Sequence, residues 1–503
     1  MTILKRHTSK LWQYLKKNLN PIKVIFIVLL VFIPLYPKFP FMGVIGTYVA
    51  IRIEDFLVLG AILIWGLIQF RQGLPILKEK ILILFGLYWL VGIISLVSAL
   101  LISDLIEPKI AFLHFFRRIE YMSLFFIAYE AMKNISFWEP LITILVTSTL
   151  VFAYGIGQKY FGLPVVSTMN EEFSKGILLY LDQWTRISST FAGHYDLAVW
   201  VSFLLSLFPA LIILAKRNWQ KFLLFICFGL NFYLLILTAS RVSFAAYLIG
   251  ISITTIFLKK IFWLPLILGI SLFFGFSSKE LNARLQDVVQ PVAIRVEQIG
   301  LSQQSAFLKQ TVSDKLLKPM PYQPSPTPTL IPTTPSPKKT PVPDKLIAPE
   351  ASPTPVLTTI TREIRTWPTP EEAKVAAARS SRIRFEIEWP RAARAFLKNP
   401  LLGTGFSSLG LATDNDYLRI LGETGILGFL TFSLIIIFLI RKVGETIKWG
   451  DGDRKIITIG LLGGLVSFLA NAIFIDVFEA SKVAFYFWLW MGIMFRINSK
   501  LKT

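Results

Sequence analysis

NPLLGTGFSSLGLATDNDYLRILGETGILGFL, residues 399–430, begins as a loop and ends as a membrane helix. Pro400 stops whatever helix precedes it, and Gly403, Gly405 and Gly410 permit backbone conformations that other residues resist. From Ile426 onward the sequence is apolar. Asp414, Asn415, Asp416, Tyr417 and Arg419 therefore fall at the entry of a hydrophobic helix, where charge is costly and usually functional. A local explanation competes: Asp414 or Asn415 caps that helix by accepting a bond from a free backbone N–H.

The rest of the chain has the same apolar character. Its 503 residues are 54% hydrophobic and 14% aromatic, with mean hydropathy +0.60, above the roughly half apolar content of soluble domains. Runs fall at 24–36, 56–70, 81–102, 112–131, 141–157, a sixth ending near 214, then 222–237, 242–258, 261–276, 426–440, 456–475 and 483–495. The fold class this predicts is all-α, a polytopic membrane protein of about 12 transmembrane helices with one large extracytoplasmic loop before the third-last span. The expected regions are 1–276 (membrane), 277–414 (loop, with a Pro-rich tether at 319–355) and 415–503 (membrane).

A net charge of +21 raises the question of nucleic acid. The basic residues instead cluster at alternate span ends, as in Lys5/Arg6/Lys10, Lys216/Arg217/Lys221 and Arg441/Lys442/Lys448, which reports topology. Both termini are expected in the cytoplasm, and no nucleic-acid partner is expected. The basic, aromatic segment 1–20 is followed by an apolar run without a small-residue cleavage site, so it reads as an interfacial helix. A single cysteine, Cys227, and three histidines argue against a disulfide framework or a Cys/His metal site.

Several charges accompany the spans. Arg117 and Glu120 stand three apart in the fourth run, and an ion pair between them is expected. Glu479 and Lys482 have the same spacing. RISSTFAGHYDLAVW carries Arg186 and His194 on the outer face, His194 being either a hydrogen-bonded structural residue or a catalyst. Arg241 sits in the tight LTASRVSF turn, where it either meets a pyrophosphate or carboxylate, or snorkels to lipid phosphate. In the loop, Thr369, Pro370 and Glu372 match a capping box, Pro390 is expected to kink or restart the helix, and Asn399-Pro400 ends it. That helix is basic through Arg379, Arg382, Arg384, Arg391 and Arg394, mostly a solvated face with pairs such as Arg384 to Glu388.

Taken in order, RISSTF at 186–191, LTASR at 237–241, and NPLLGTGF followed by DNDYLRILGETGILG resemble the O-antigen ligase and polymerase family, as does the layout of spans around one large outer loop. The resemblance implies a membrane glycosyltransferase without nucleotide sugar, cofactor or metal. Its donor would be an undecaprenyl-pyrophosphate-linked glycan, used at the outer face of the bacterial cytoplasmic (inner) membrane in surface polysaccharide biosynthesis, with a glycan or other hydroxyl acceptor. It assigns pyrophosphate binding to Arg186 and Arg241. Ligases of the family commonly carry His-Asn where this chain has Asp414-Asn415, so Asp414 becomes the expected residue that activates the acceptor hydroxyl. His194, Asn415, Tyr417, Arg382 and Arg391 are candidate supporting residues. The alternatives are a flippase for lipid-linked glycan and a scaffolding protein; neither requires the outer-face arginines to act in chemistry. Residues 370–398 are expected to close over the site as a lid, with 319–355 a dispensable tether.

Overall fold

A chain crossing hydrocarbon has to satisfy its own backbone, which leaves helices for every apolar run. The computed structural model describes residues 20–44, 50–102, 106–166, 179–180, 186–278, 383–410, 412–450 and 452–499. All of these belong to one unit, Met1–Val288 with Pro370–Thr503. The expected interfacial helix, the Pro-rich tether, the capping box at Thr369 and candidate residue Arg382 lie outside the described residues.

Among the described residues there are thirteen α-helices: α1 Pro21–Leu35, α2 Ile53–Arg71, α3 Lys80–Ile102, α4 Pro108–Ala131, α5 Trp138–Tyr160, α6 His194–Leu214, α7 Asn218–Thr238, α8 Arg241–Phe257, α9 Leu264–Ser277, α10 Trp389–Lys398, α11 Asp416–Trp449, α12 Gly452–Asn471 and α13 Ser481–Asn498. Two antiparallel ribbons, β1 Pro40–Gly43 with β2 Ala50–Arg52 and β3 Pro164–Val165 with β4 Leu179–Tyr180, are additions to the all-α expectation. Each of the twelve apolar runs is helical. Six helices, α2, α3, α5, α6, α7 and α11, are long and apolar enough to cross a membrane. Helix α4 has the length but carries Arg117, Arg118, Glu120 and Glu130. As expected, the loop helix restarts at Pro390, after a π-helical turn at Ile383–Glu388, and stops before Asn399-Pro400.

Helices α6 and α13 form the centre, with Val199–Leu205 and Val483–Phe495 buried. Helix α6 packs on α12, α8 and α7, and α13 packs on α4. Lipid offers no hydrophobic drive for helix association, so close approach and interhelical hydrogen bonds hold these contacts. Methyl groups added to Gly250 or Gly463 would overlap Ser206 Oγ or Thr254 Oγ1. Beside them Ser243 Oγ donates to Asn471 Oδ1 at 2.7 Å, and Asn471 Nδ2 donates to Ser202 Oγ at 3.1 Å. Phe85 joins the bundle's other half, with ring centroids 5.0 Å from Phe125 and 5.3 Å from Trp488.

Where a span at 426–440 is expected, α11 runs further at both ends and breaks at Gly425, φ +64° and ψ −167°. A Cβ there would overlap the Leu401 backbone, whereas one at Gly73, also at positive φ, meets open space. Gly73→Ala should therefore show the conformational cost alone, about 1 kcal/mol, and Gly425→Ala that cost plus a backbone clash, at least about 3 kcal/mol. Thermal unfolding of the purified variants measures the difference; equal shifts would refute the close approach.

Candidate functional site

Breaking a helix strips carbonyl groups of their partners, and the preceding loop supplies replacements. Thr404 N donates to Gly422 O and Gly405 N to Glu423 O, both at 2.9 Å, and Ser95 Oγ from α3 also donates to Glu423 O at 2.9 Å. On the other side of the break Ile426 N donates to Pro400 O at 2.9 Å and Leu427 N to Leu401 O at 3.3 Å. Residues 400–405 thus lie against the break as a strand would. Gly403, at φ +71°, has no room for a side chain against Glu423.

The two capping candidates separate. Asn415 is the cap, its Oδ1 accepting from Leu418 N at 2.9 Å. Asp414 takes the left-handed region, φ +50°, and its Oδ2 accepts from Arg384 Nε at 2.7 Å. Arg384 does not form the expected helical pair with Glu388; the π-helical turn aims it at Asp414 instead. Burial would lower the Arg384 pKa, but Asp414 and Tyr195 reverse this and raise it. Burial raises the Asp414 pKa, opposed by Arg384 and reinforced by Asp476.

Behind Asp414 runs a buried ladder of charge. Asp476 Oδ2 accepts from Thr413 N at 2.8 Å, Asp414 N at 3.2 Å and Arg419 Nη2 at 3.2 Å. Arg419 Nη1 donates to Glu423 Oε1 and to Gly410 O, both at 3.2 Å. Arg118 bridges Glu423, at 3.5 Å, and Glu479. Two expected pairs are thereby corrected. Arg117 pairs with Asp55 at 3.1 Å, not with Glu120, because α2 presents a carboxylate across the helix interface. Glu479 pairs with Arg118, while Lys482 donates to the carbonyls of Tyr36 at 2.5 Å, Thr190 at 2.7 Å and Pro34 at 3.4 Å. At both places tertiary partners outweigh the three-residue spacing.

Lys482 and Thr190 fasten the loop that carries Arg186, since Thr190 Oγ1 also donates to Pro34 O at 2.5 Å. Ile187 N donates to Leu237 O at 3.3 Å, bringing that loop beside the α7–α8 turn and Arg241. Arg186 Nη1 lies 2.5 Å from His194 Nε2. A guanidinium only donates, so His194 accepts through Nε2 and is neutral. Burial lowers the Arg186 pKa, and nearby Arg241 adds to this, while Tyr195 opposes both. Tyr195 stands close enough to both Arg186 and Arg384 to oppose the effect of burial on each.

Tyr195 therefore stands between the Arg186–His194 contact and the Arg384–Asp414 pair, with Arg241 near Arg186. Such a group can hold a multivalent anion at one end and engage a hydroxyl proton at the other. Residues 226–433 match the family model described as O-antigen ligase. Over that span the chain is similar to O-antigen ligases. The matched domain takes in Arg241, Arg384, Asp414 and the broken part of α11, while Arg186 and His194 precede it. No curated protein matches the chain.

Of the candidate residues, the matched region and its neighbours bring Asp414, Arg186, Arg241 and His194 near one another. The others have supporting positions. Asn415 caps α11, Tyr417 OH donates to Leu469 O at 2.9 Å, and Arg391 Nη2 donates to Ala412 O at 2.6 Å. Arg384, Tyr195, Asp476 and Arg419 are additional site residues. Among the described residues, no three His, Cys, Asp or Glu side chains are grouped to hold a metal. Removing Arg419 would take one of two cations from buried Glu423 and the only ion-pair partner that the described residues give half-buried Asp476. Arg419→Met should cost roughly 3–5 kcal/mol, read as a lowered thermal midpoint. A loss below about 1 kcal/mol would mean that these carboxylates are solvated.

Proposed function

We propose that the chain is a membrane glycosyltransferase that transfers or polymerises glycans from an undecaprenyl-pyrophosphate donor at the outer face of the bacterial inner membrane. The observation that carries this reading is the Arg384–Asp414 pair with Tyr195, Arg186 and Arg241 close by, within and beside the region that matches the O-antigen ligase model. Arg186 and Arg241 would hold the pyrophosphate and stabilise the charge it gains as it leaves. The acceptor oxygen attacks the anomeric carbon as the bond from that carbon to the phosphate oxygen breaks. Its proton passes to Asp414, and the bonding pair departs on the pyrophosphate. Among the described residues no hydrogen bond engages Asp414 Oδ1, while Arg384 holds Oδ2. Oδ1 is thus the oxygen that receives the proton. The topology proposed with it has α1 to α9 and α11 to α13 as spans, 277–414 outside and both termini in the cytoplasm.

A second reading, a transporter of the lipid-linked glycan, draws on the broken α11 and the buried Arg118–Glu423 pair, features that transporters also use. Purified protein supplied with a synthetic undecaprenyl-pyrophosphate oligosaccharide separates the two. Transfer should release undecaprenyl pyrophosphate, persist in chelator, and fall about 100-fold or more in Asp414→Asn and Arg241→Ala. Movement of intact donor across proteoliposomes, with no release, would replace this reading by the transporter. In the same assay, excising 321–355 should leave most activity, because the remaining loop spans the gap at roughly 3.3 Å per extended residue. Removing 370–398 should abolish transfer or divert it to hydrolysis. Equal damage from both deletions would contradict the division into tether and lid.

A further inference from the structure

The reacting carboxylate of the proposed transfer stands on an unusual support. Asp414 is in a left-handed conformation that costs a non-glycine residue about 1–3 kcal/mol. What holds it is Asp476, in the turn between α12 and α13, whose single oxygen Oδ2 collects the N–H groups of both Thr413 and Asp414. Arg419 completes the clamp, binding the same oxygen and, through its other nitrogen, the carbonyl of Gly410 four residues before Asp414. Asp476 Oδ1 is buried and has no hydrogen-bond partner among the described residues. A carboxylate with one oxygen triply engaged and the other unused is not arranged as a simple ion pair, which would share both.

We infer that Asp476 is the positioning residue of the Asp414 site, fixing the Thr413–Asp414 backbone so that the Asp414 side chain meets the acceptor hydroxyl, and setting a second carboxylate behind it. This rests on Asp414 as the base of the transfer. Its charged surroundings are specific. Arg384 and Glu388 come from the π-helical turn, and Arg391 from α10 holds Ala412 O. Asp416 and Arg419 come from α11, and Asp476 and Glu479 from the α12–α13 turn. Tyr195 of α6 reaches the site through Arg384. Burial and Asp476 raise the Asp414 pKa while Arg384 lowers it. Neutralising Asp476 should thus lower that pKa, so activity that is lost on acidification survives to lower pH.

The test is the pH profile of undecaprenyl pyrophosphate release from the synthetic undecaprenyl-pyrophosphate oligosaccharide by the full-length protein. Asp476→Asn keeps an accepting oxygen and removes the charge. Its acid limb should move at least about half a pH unit lower, with donor KM within about twofold. Asp476→Ala removes the anchor as well, and kcat should fall about 100-fold. A wild-type kcat and acid limb in both folded variants would overturn the inference. Should neither variant fold, Asp476→Glu preserves the pairing with Arg419 and moves the anchor by one methylene. Its kcat should drop about tenfold at unchanged acid limb, and wild-type kcat there would equally overturn the inference. Asp414→Asn separates the two levels. If it retains activity, the proposed base is wrong; if it is inactive while the Asp476 variants match wild type, only the positioning role fails.

Discussion

Four backbone hydrogen bonds across the break in α11 are the constraint on which the rest of the site depends. Within a membrane protein an unpaired peptide group costs several kcal/mol, so a helix can open only where another segment supplies donors and acceptors at the same depth. Residues 400–405 do this from one side and Ser95 from another. The opened turn then carries Arg419 and Glu423 inward on the short half of α11, while the long half continues as a span. Glycine at 403 and 425 is required because the two backbones approach too closely for any side chain. The loop is thus fixed at both ends, by the break at one and by Asp476 at the other.

The charged ladder is a second consequence of that geometry. Arg118, Arg419, Glu423, Asp476 and Glu479 come from three separate parts of the chain and interlock so that no carboxylate is left without a cation. Buried pairs of this kind contribute little net stability compared with well-packed apolar residues, yet breaking one is expensive. Their value lies in specifying a single arrangement. Arg419 can satisfy Asp476, Glu423 and Gly410 together only when loop, helix and turn are all in place.

Much of this was legible in the sequence, and the limits have physical causes. Each of the twelve apolar runs is helical, and six of the resulting helices are long and apolar enough to cross a membrane, since hydropathy and span length follow directly from the solvent. The stop at Pro400, the glycine loop and the restart at Pro390 were equally readable, because each depends on local backbone sterics. Arg186, Arg241, His194 and Asp414 could be named from their motifs. What could not be read was pairing. Spacing suggested Arg117 with Glu120, Arg384 with Glu388 and Glu479 with Lys482, but each of these residues found a partner on another element. Local spacing is worth only a few tenths of a kcal/mol on a helix, and a buried charge seeks whatever partner desolvation leaves it. Arg384 was visible as one of five loop arginines, with nothing in the sequence to show that a π-helical turn would single it out. Tyr195 gave no signal beyond its place next to His194.

The central position of α13 has a bearing on how the protein is made. Its first turn supplies Lys482, which ties Thr190 to the end of α1, and the turn before it supplies Asp476 and Glu479. All three are translated after every element that bears Arg186, Arg241, Arg384 and Asp414. During synthesis those earlier residues enter the membrane without their final supports. Arg118 and Arg419 wait with one carboxylate, Glu423, between them. The site is therefore completed late: a chain halted before residue 476 holds the candidate groups but not Asp476, Glu479 and Lys482.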